Sequence, residues 1–261
     1  MGVLDRLRLD GKRLFITGGS RGLGREMALA IADAGADVVL TGRDAESLAR
    51  TAEEVRRLGR QAFTLQADLA DPAACETVCA QALARHGPPL DILINNLGGR
   101  RDPAPIEDMP LAQWQALIDL NLTSSFICTK AIGGAMVRRG RGGRIINIAS
   151  INAFVVGRGI GGRHYEAAKA AIVQFTHAAA ADWAPYGVTV NAICPGLFMT
   201  EPNQRWAHER PEVIVGIRER TPMQTFGAPE DLGPLAVYLA SDAARFMTGA
   251  ALVIDGGYTL W

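Results

Sequence analysis

The feature that most constrains this chain is the alternation, along nearly its whole length, of short apolar runs with longer amphipathic stretches. Seven runs predict strands: Arg13–Thr17, Asp37–Thr41, Ala62–Gln66, Asp91–Asn95, Arg144–Ile148, Val188–Ile193 and Ala251–Ile254. They are continuously apolar, the pattern of strands covered on both faces. Between them, Arg25–Ala34, Ala45–Leu58, Ala73–His86, Leu111–Val137, Tyr165–Pro185 and Pro229–Ala240 read as helices. Such a repeat builds a parallel sheet with helices on both sides. A chain of 261 residues fits one such domain, so residues 1–261 are expected to form a single α/β unit around a doubly wound, seven-stranded sheet.

Two stretches fit neither element. Residues Gly196–Thr221 are polar and interrupted by prolines, and Asn152–Arg163 are rich in glycine. They follow the sixth and fifth strands, and open α/β sheets bind ligands beyond the carboxyl ends of their strands. A substrate lid is therefore expected around residues 197–221.

Charge narrows the function classes. Lys and Arg number 27 against 27 Asp and Glu, without the basic excess of a nucleic-acid binder. The cluster Arg138, Arg139, Arg141 and Arg144 is broken by glycines and reads as a solvated turn. No run of about 18 apolar residues predicts a membrane span, and the opening residues lack a signal-peptide pattern. Cys75 and Cys79 share a helix face, but no Cys/His pair follows at zinc-finger spacing. All four cysteines are read as buried free thiols, no metal is expected, and the expected location is the cytoplasm.

The first predicted strand runs into Thr17-Gly18-Gly19-Ser20-Arg21-Gly22-Leu23-Gly24 and then a helix. Strand, glycine turn and helix N-terminus together let backbone N–H groups meet a pyrophosphate, the arrangement of a Rossmann-type nucleotide site. A site for NAD places an acid at the end of the second strand to hold the ribose 2′-hydroxyl. This chain has Thr41-Gly42-Arg43 there. Arg43, with Arg21 inside the turn, suits a 2′-phosphate, which predicts NADP(H). Asp44 is the countersign if it points inward.

Further along, Tyr165 and Lys169 stand four apart at the start of a predicted helix, on one face. A phenol with a pKa of about 10 is a poor base near neutral pH, and the neighbouring Lys169 ammonium, with the positive nicotinamide ring, is expected to stabilise its phenolate and lower that pKa. Tyr165 would then serve as general acid or base toward a carbonyl or alcohol oxygen. Ser150, ending the fifth strand, would hydrogen-bond the same oxygen.

In these pieces, and in their order, the chain resembles the short-chain dehydrogenase/reductase family from about Leu9 to Gly257. The matching residues are the Thr17–Gly24 turn, Asp68-Leu69, Asn95-Asn96-Leu97-Gly98, Asn121, Ser150, Tyr165 with Lys169, Pro195-Gly196 with Thr200, and Asp255-Gly256-Gly257. The resemblance implies an oxidoreductase that interconverts a ketone and a secondary alcohol, with Tyr165 as acid/base and Ser150 orienting the substrate. It gives Lys169 the nicotinamide ribose, and gives the Asn121 carbonyl a water linking Lys169 to solvent. The cofactor contacts it implies are Gly18, Ser20, Arg21, Gly22, Leu23, Gly24, Arg43, Asp68, Leu69, Asn95, Gly98, Tyr165, Lys169, Pro195, Gly196 and Thr200. Leu97 stands where the family usually has alanine, and Ser150 and Tyr165 lie slightly farther apart than usual.

Substrate choice is less legible. Arg100, Arg101, Arg158, Arg163, His164, Arg205, His208 and Arg210 would form a basic rim, opposed by Asp102, Glu201, Glu209 and Glu212. Such a rim suits an anion, and Arg100-Arg101 with the Arg220-to-Leu232 stretch resembles the gluconate 5-dehydrogenase-like branch. A sugar acid or polyol is the first expectation. A 3-oxoacyl thioester is the second and a bulkier cyclic ketone the third, and a non-catalytic NADP(H)-binding sensor is the non-enzyme alternative. The apolar end, Leu260-Trp261, and the family's habit together imply a homotetramer.

Overall fold

The computed structural model describes residues 2–84, 89–100, 104–157 and 160–261. All seven expected strands form: β1 (Arg13–Thr17), β2 (Asp37–Gly42), β3 (Ala62–Gln66), β4 (Ile92–Asn95), β5 (Gly143–Ile148), β6 (Val188–Pro195) and β7 (Ala251–Ile254). They pair in parallel in the order β3-β2-β1-β4-β5-β6-β7. The order reverses between β1 and β4, the point at which an open α/β sheet leaves a crevice. The expected single Rossmann-like sheet with helices on both faces is what the chain forms.

Side-chain alternation divides the core into two layers. Leu14 and Ile16 of β1, Val38 and Leu40 of β2, and Ile92 and Ile94 of β4 face one side. There they meet Met27 and Ile31 of α1 (Gly22–Asp33) and Leu232, Ala236 and Leu239 of α10 (Leu232–Ala240). Phe15, Val39 and Leu93, one residue out of phase, face the opposite side. They pack with Cys75, Val78 and Cys79 of α3 (Pro72–Ala84), and with Val188 and Val190. A period of two inside a continuously apolar run is why both faces need cover. Each fully buried Leu, Ile or Val contributes about 1.5–3 kcal/mol relative to exposure.

Element ends moved by a few residues. α2 spans Ala45–Arg57, and α1 begins three residues before the expected Arg25. The expected end of the third helix, at His86, lies outside the described residues. The expected helix Leu111–Val137 is a rod over residues 111–139 with two π-turns, Asp119–Thr123 and Thr129–Gly133, between α4 (Leu111–Ile118), α5 (Ser124–Cys128) and α6 (Gly134–Arg139). The largest difference is in the expected lid. It holds two helices, α8 (Glu201–Glu209) and α9 (Pro211–Arg220). Pro202 and Pro211 fall in their first turns, where the missing N–H costs nothing, so these prolines start helices.

Candidate active site

The carboxyl ends of the central strands open into a cleft of about 850 Å³. Its floor near β1 is the glycine turn. Asn96 fixes that turn: its Nδ2 donates to the Thr17 carbonyl at 2.9 Å and the Gly18 carbonyl at 3.0 Å. Thr17 Oγ1 accepts from the backbone N–H groups of Asn96 and Leu97, each at 2.9 Å. At Gly24 a Cβ would stand 2.2 Å from the Gly18 carbonyl oxygen and 2.3 Å from Asn96 Nδ2, so only glycine closes the turn onto α1. The N-terminus of α1 opens into the cleft, leaving N–H groups and a partial positive charge toward an anion. This cradle fits a dinucleotide pyrophosphate.

At the end of β2, Arg43 borders the cleft and meets Asp68, with Nη1 to Oδ2 at 3.6 Å. Asp44 is turned to other use: it caps α2, its Oδ1 accepting from the Ser47 N–H at 2.7 Å. Hydrogen bonds from the Ser47 side chain and, second, its N–H hold the Asp44 carboxyl below the usual range. The inward acid that would repel a 2′-phosphate is therefore absent among the described residues at this strand end.

Beyond β4 and β5 stand Ser150, Tyr165 and Lys169. Ser150 lies two residues past the end of β5 and caps a short 3-10 turn, Ile151–Ala153, accepting from the Asn152 N–H at 3.1 Å. Tyr165 and Lys169 lie in the first turns of α7 (Arg163–Trp183), which starts at Gly162 with φ of 81°. Lys169 is buried, and its Nζ donates to the Ile148 carbonyl at 2.8 Å. Burial brings its pKa down to about 8. Burial raises the Tyr165 phenol, while a hydrogen bond with Ser150 and the charge of Arg100 pull it back down. The sequence assigned that lowering to a neighbouring ammonium. Among the protein's own groups it comes from Ser150 and Arg100.

Gly98 makes room for this arrangement. A Cβ there would lie 2.6 Å from Asn121 Oδ1 and 3.1 Å from Lys169 Nζ. Asn121 itself is buried in the first π-turn. Its side chain clamps Gly99, accepting from the N–H at 3.0 Å and donating to the carbonyl at 3.1 Å. Its main-chain carbonyl accepts from Ser125 Oγ at 3.2 Å. A π-turn shifts carbonyls out of the regular ladder and recurs at functional sites.

Most residues expected at the site border the cleft: Gly18, Ser20, Arg21, Gly22, Leu23, Gly24, Arg43, Leu69, Gly98, Ser150, Tyr165, Lys169, Pro195, Gly196 and Thr200. Asp68 stands beside it through Arg43. Asn95 turns into the core, where its Nδ2 donates to Thr129 Oγ1 at 2.9 Å and Asn147 Oδ1 at 2.8 Å. Asn96, one residue on, borders the cleft in its place; the Asn-Asn doublet at a strand end was the available signal. Trp206, inside the expected lid, and Tyr258 also border it, and the sequence offered no sign of Tyr258.

The basic rim is largely neutralised. Arg100 and Arg163 share Glu166 Oε1 at 3.2 Å and 2.9 Å. Arg205 pairs with Glu201 at 3.7 Å, and Arg210 with Glu212 at 2.7 Å. His164 is buried, with its ring stacked on Trp114. Arg101, Asp102 and Arg158 lie outside the described residues. Among the described residues of the rim, Arg100 and Arg210 reach the cleft.

Known proteins share this arrangement. Residues 18–259 match the family model described as enoyl-(acyl carrier protein) reductase. A galactitol 2-dehydrogenase (L-tagatose-forming) of Cereibacter sphaeroides is 38% identical over 256 residues, 97% of each chain. The crystal structure of a short-chain type dehydrogenase/reductase from Mycobacterium marinum superimposes with a TM-score of 0.89 at 36% identity, covering 99% of both chains. That of a gluconate 5-dehydrogenase from Burkholderia cenocepacia, in complex with NADP and tartrate, gives 0.91 at 36% identity over the whole of both. With the glycine turn, the serine, tyrosine and lysine meeting in one cleft, and these likenesses over nearly the full length, the chain belongs to the short-chain dehydrogenase/reductase family and is an oxidoreductase.

Proposed function

We propose that this protein uses NADP(H) to interconvert a ketone and a secondary alcohol on a sugar acid or polyol, with Tyr165 as its acid/base. The observation that carries the reading is the meeting of Ser150, Tyr165 and Lys169 in the cleft that also holds the Gly18–Gly24 turn. The nicotinamide, when bound, supplies or accepts the hydride. Gly18, Ser20, Gly22, Leu23 and Gly24 seat the pyrophosphate, and Arg43 and Arg21 hold the 2′-phosphate. Asp68 and Leu69 flank the adenine side. Gly98, Pro195, Gly196 and Thr200 wall the nicotinamide side.

Ser150 orients the substrate oxygen. Tyr165 donates a proton to it during ketone reduction and removes one during alcohol oxidation. Lys169, held on the Ile148 carbonyl, keeps a buried positive charge close to the phenol and holds the ribose. Asn121 fixes Gly99 and, through it, the wall opposite. The galactitol and gluconate dehydrogenases among its relatives support the polyol and sugar-acid reading. A 3-oxoacyl (acyl-carrier-protein) reductase from Agrobacterium tumefaciens, at TM-score 0.89 and 31% identity, supports an acyl thioester as the second reading.

Residues 197–221 are proposed to act as a lid, because Trp206 of α8 and Arg210, between α8 and α9, line the cleft. The assembly is proposed to be a homotetramer. Leu260 and Trp261 are exposed, as are Phe126, Leu111 and Phe246. No helix among the described residues is long and apolar enough to cross a membrane, which is consistent with a cytoplasmic place.

The test is nicotinamide absorbance with both cofactors and a panel of sugar acids, neutral polyols, acyl thioesters and cyclic ketones, with Tyr165→Phe as the blank. NADP(H) turnover of a sugar acid or polyol that vanishes in Tyr165→Phe supports the reading. Turnover that survives removes Tyr165 from the chemistry. A faster thioester replaces the substrate class.

A further inference from the structure

On the far side of the sheet's second core layer, three thiols meet. Cys75 and Cys79, four apart on α3, face Cys128 at the end of α5. Cys128 Sγ lies 3.6 Å from Cys75 Sγ and 3.7 Å from Cys79 Sγ, and all three sulfurs fall within 4.8 Å of one another. Each residue is completely buried, among Phe15, Leu69, Val78, Leu93 and Ile132. The Cys75 thiol also donates to the Ser124 carbonyl at 3.8 Å. None of the three lines the catalytic cleft.

We propose that Cys75, Cys79 and Cys128 form a trithiolate site for one trivalent thiophilic ion of the arsenous-acid class, which on binding ties α3 to α5.

Donor chemistry selects a soft centre, because an all-sulfur set does not suit the hard cations that prefer oxygen. Charge then chooses among soft ions. Three thiolates around a trivalent centre are neutral, whereas a divalent ion leaves one negative charge and a monovalent ion two. An uncompensated charge in this apolar core costs several kcal/mol. Coordination number points the same way. Structural zinc takes four ligands, and the triad has no fourth donor at bonding distance among the described residues. A pyramidal centre with a lone pair at its apex is complete with three. Size also fits: sulfurs held about 2.3 Å from a trigonal ion stand about 4 Å apart, and pyramidal geometry draws them closer.

The step balances without a change of oxidation state. Three S–As bonds form and three As–OH bonds break, and the three thiol protons leave with the hydroxides as water. Entry requires α3 to open locally, so uptake is slow.

The experiment is incubation of the native protein with arsenite, removal of the excess by gel filtration, and intact mass with a thiol count after unfolding. Expected are one arsenic per chain, a gain of one arsenic less three hydrogens, and three of the four thiols blocked. Bound arsenic also raises the melting temperature. Cys75→Ala and Cys79→Ala each weaken retention at least tenfold and abolish the melting shift, while Cys194→Ala retains both. Two triad variants are included so that loss of folding in one leaves the other to decide. Absence of arsenic both after long native incubation and after refolding with arsenite overturns the proposal. So does arsenic that is retained equally in both triad variants.

Discussion

Arg100 lays its guanidinium across the face of the Tyr165 ring, with Cζ 4.6 Å from the ring centroid, while its Nη2 is held by Glu166 Oε1 at 3.2 Å. Its Nη1 donates to the Gly162 carbonyl at 3.0 Å, tying the loop after β4 to the start of α7. A cation in this position stabilises the phenolate, and its charge pulls the Tyr165 pKa down. Arg100→Met removes that pull and leaves Tyr165 protonated to higher pH. The acid limb of the pH profile for alcohol oxidation is expected to move up by about one pH unit or less. A neutral polyol as substrate keeps the readout free of any direct pairing between Arg100 and an anion. An unmoved limb means that Glu166 already cancels the charge.

Lys169 sets a stability window. Its proton leaves the native state near pH 8 and the unfolded chain near 10.5. Between those values the unfolded chain binds more protons, so the lysine's penalty is fully present below pH 8 and fades as pH rises. The gain across the window is about 3 kcal/mol at most. Tyr165 and Cys194, with raised pKa values, act in the opposite sense above about pH 9. Comparison with Lys169→Met isolates the lysine. Chemical unfolding from pH 7 to 10 should show wild type gaining on the variant, and parallel curves would contradict the lowered value.

Gly98→Ala places a methyl group 2.6 Å from Asn121 Oδ1 and 3.1 Å from Lys169 Nζ, two side chains with fixed partners. Overpacking of this kind costs about 1–3 kcal/mol. The expected result is a modest fall in melting temperature with a fall in kcat of about tenfold or more, since catalytic geometry tolerates little displacement. Unchanged kcat would mean that Asn121 moves aside without consequence.

Arg43→Ala should weaken NADPH by about 1–3 kcal/mol, the scale of a charge-assisted hydrogen bond, and leave NADH nearly unchanged. Fluorescence titration of both cofactors reads the ratio directly. Asp68 faces Arg43, so Asp68→Asn is expected to strengthen NADPH slightly. If Arg43→Ala weakens both cofactors equally, Arg43 holds the adenosine and does not read the phosphate.

The sheet was legible because its inner strands, β1, β2, β4, β5 and β6, are buried on both faces, and burial writes itself as a run of apolar residues. β1, β3 and β7 end where their apolar runs end. The helices over 201–220 were hidden because Pro202 and Pro211 were read as interruptions. The same residue type starts a helix in its first turn and breaks one in its interior, and position is not visible before the boundary is known. The π-turn at Asn121 leaves no periodic trace either, since one extra residue shifts the apolar stripe by less than helix ends normally drift.

The sequence by itself determined the parallel sheet, the glycine turn, and the order of Ser150, Tyr165 and Lys169, because each follows from local pattern or short spacing. Tertiary structure decided which charges act. The sequence counted a rim of arginines, but Glu166, Glu201 and Glu212 neutralise much of it, and Asp44 is spent on a helix cap. It also brought Cys128 against Cys75 and Cys79 across 49 to 53 residues of chain. Pairings between distant residues depend on how whole elements dock, and docking is set by the buried surface they share, which no local window of sequence contains.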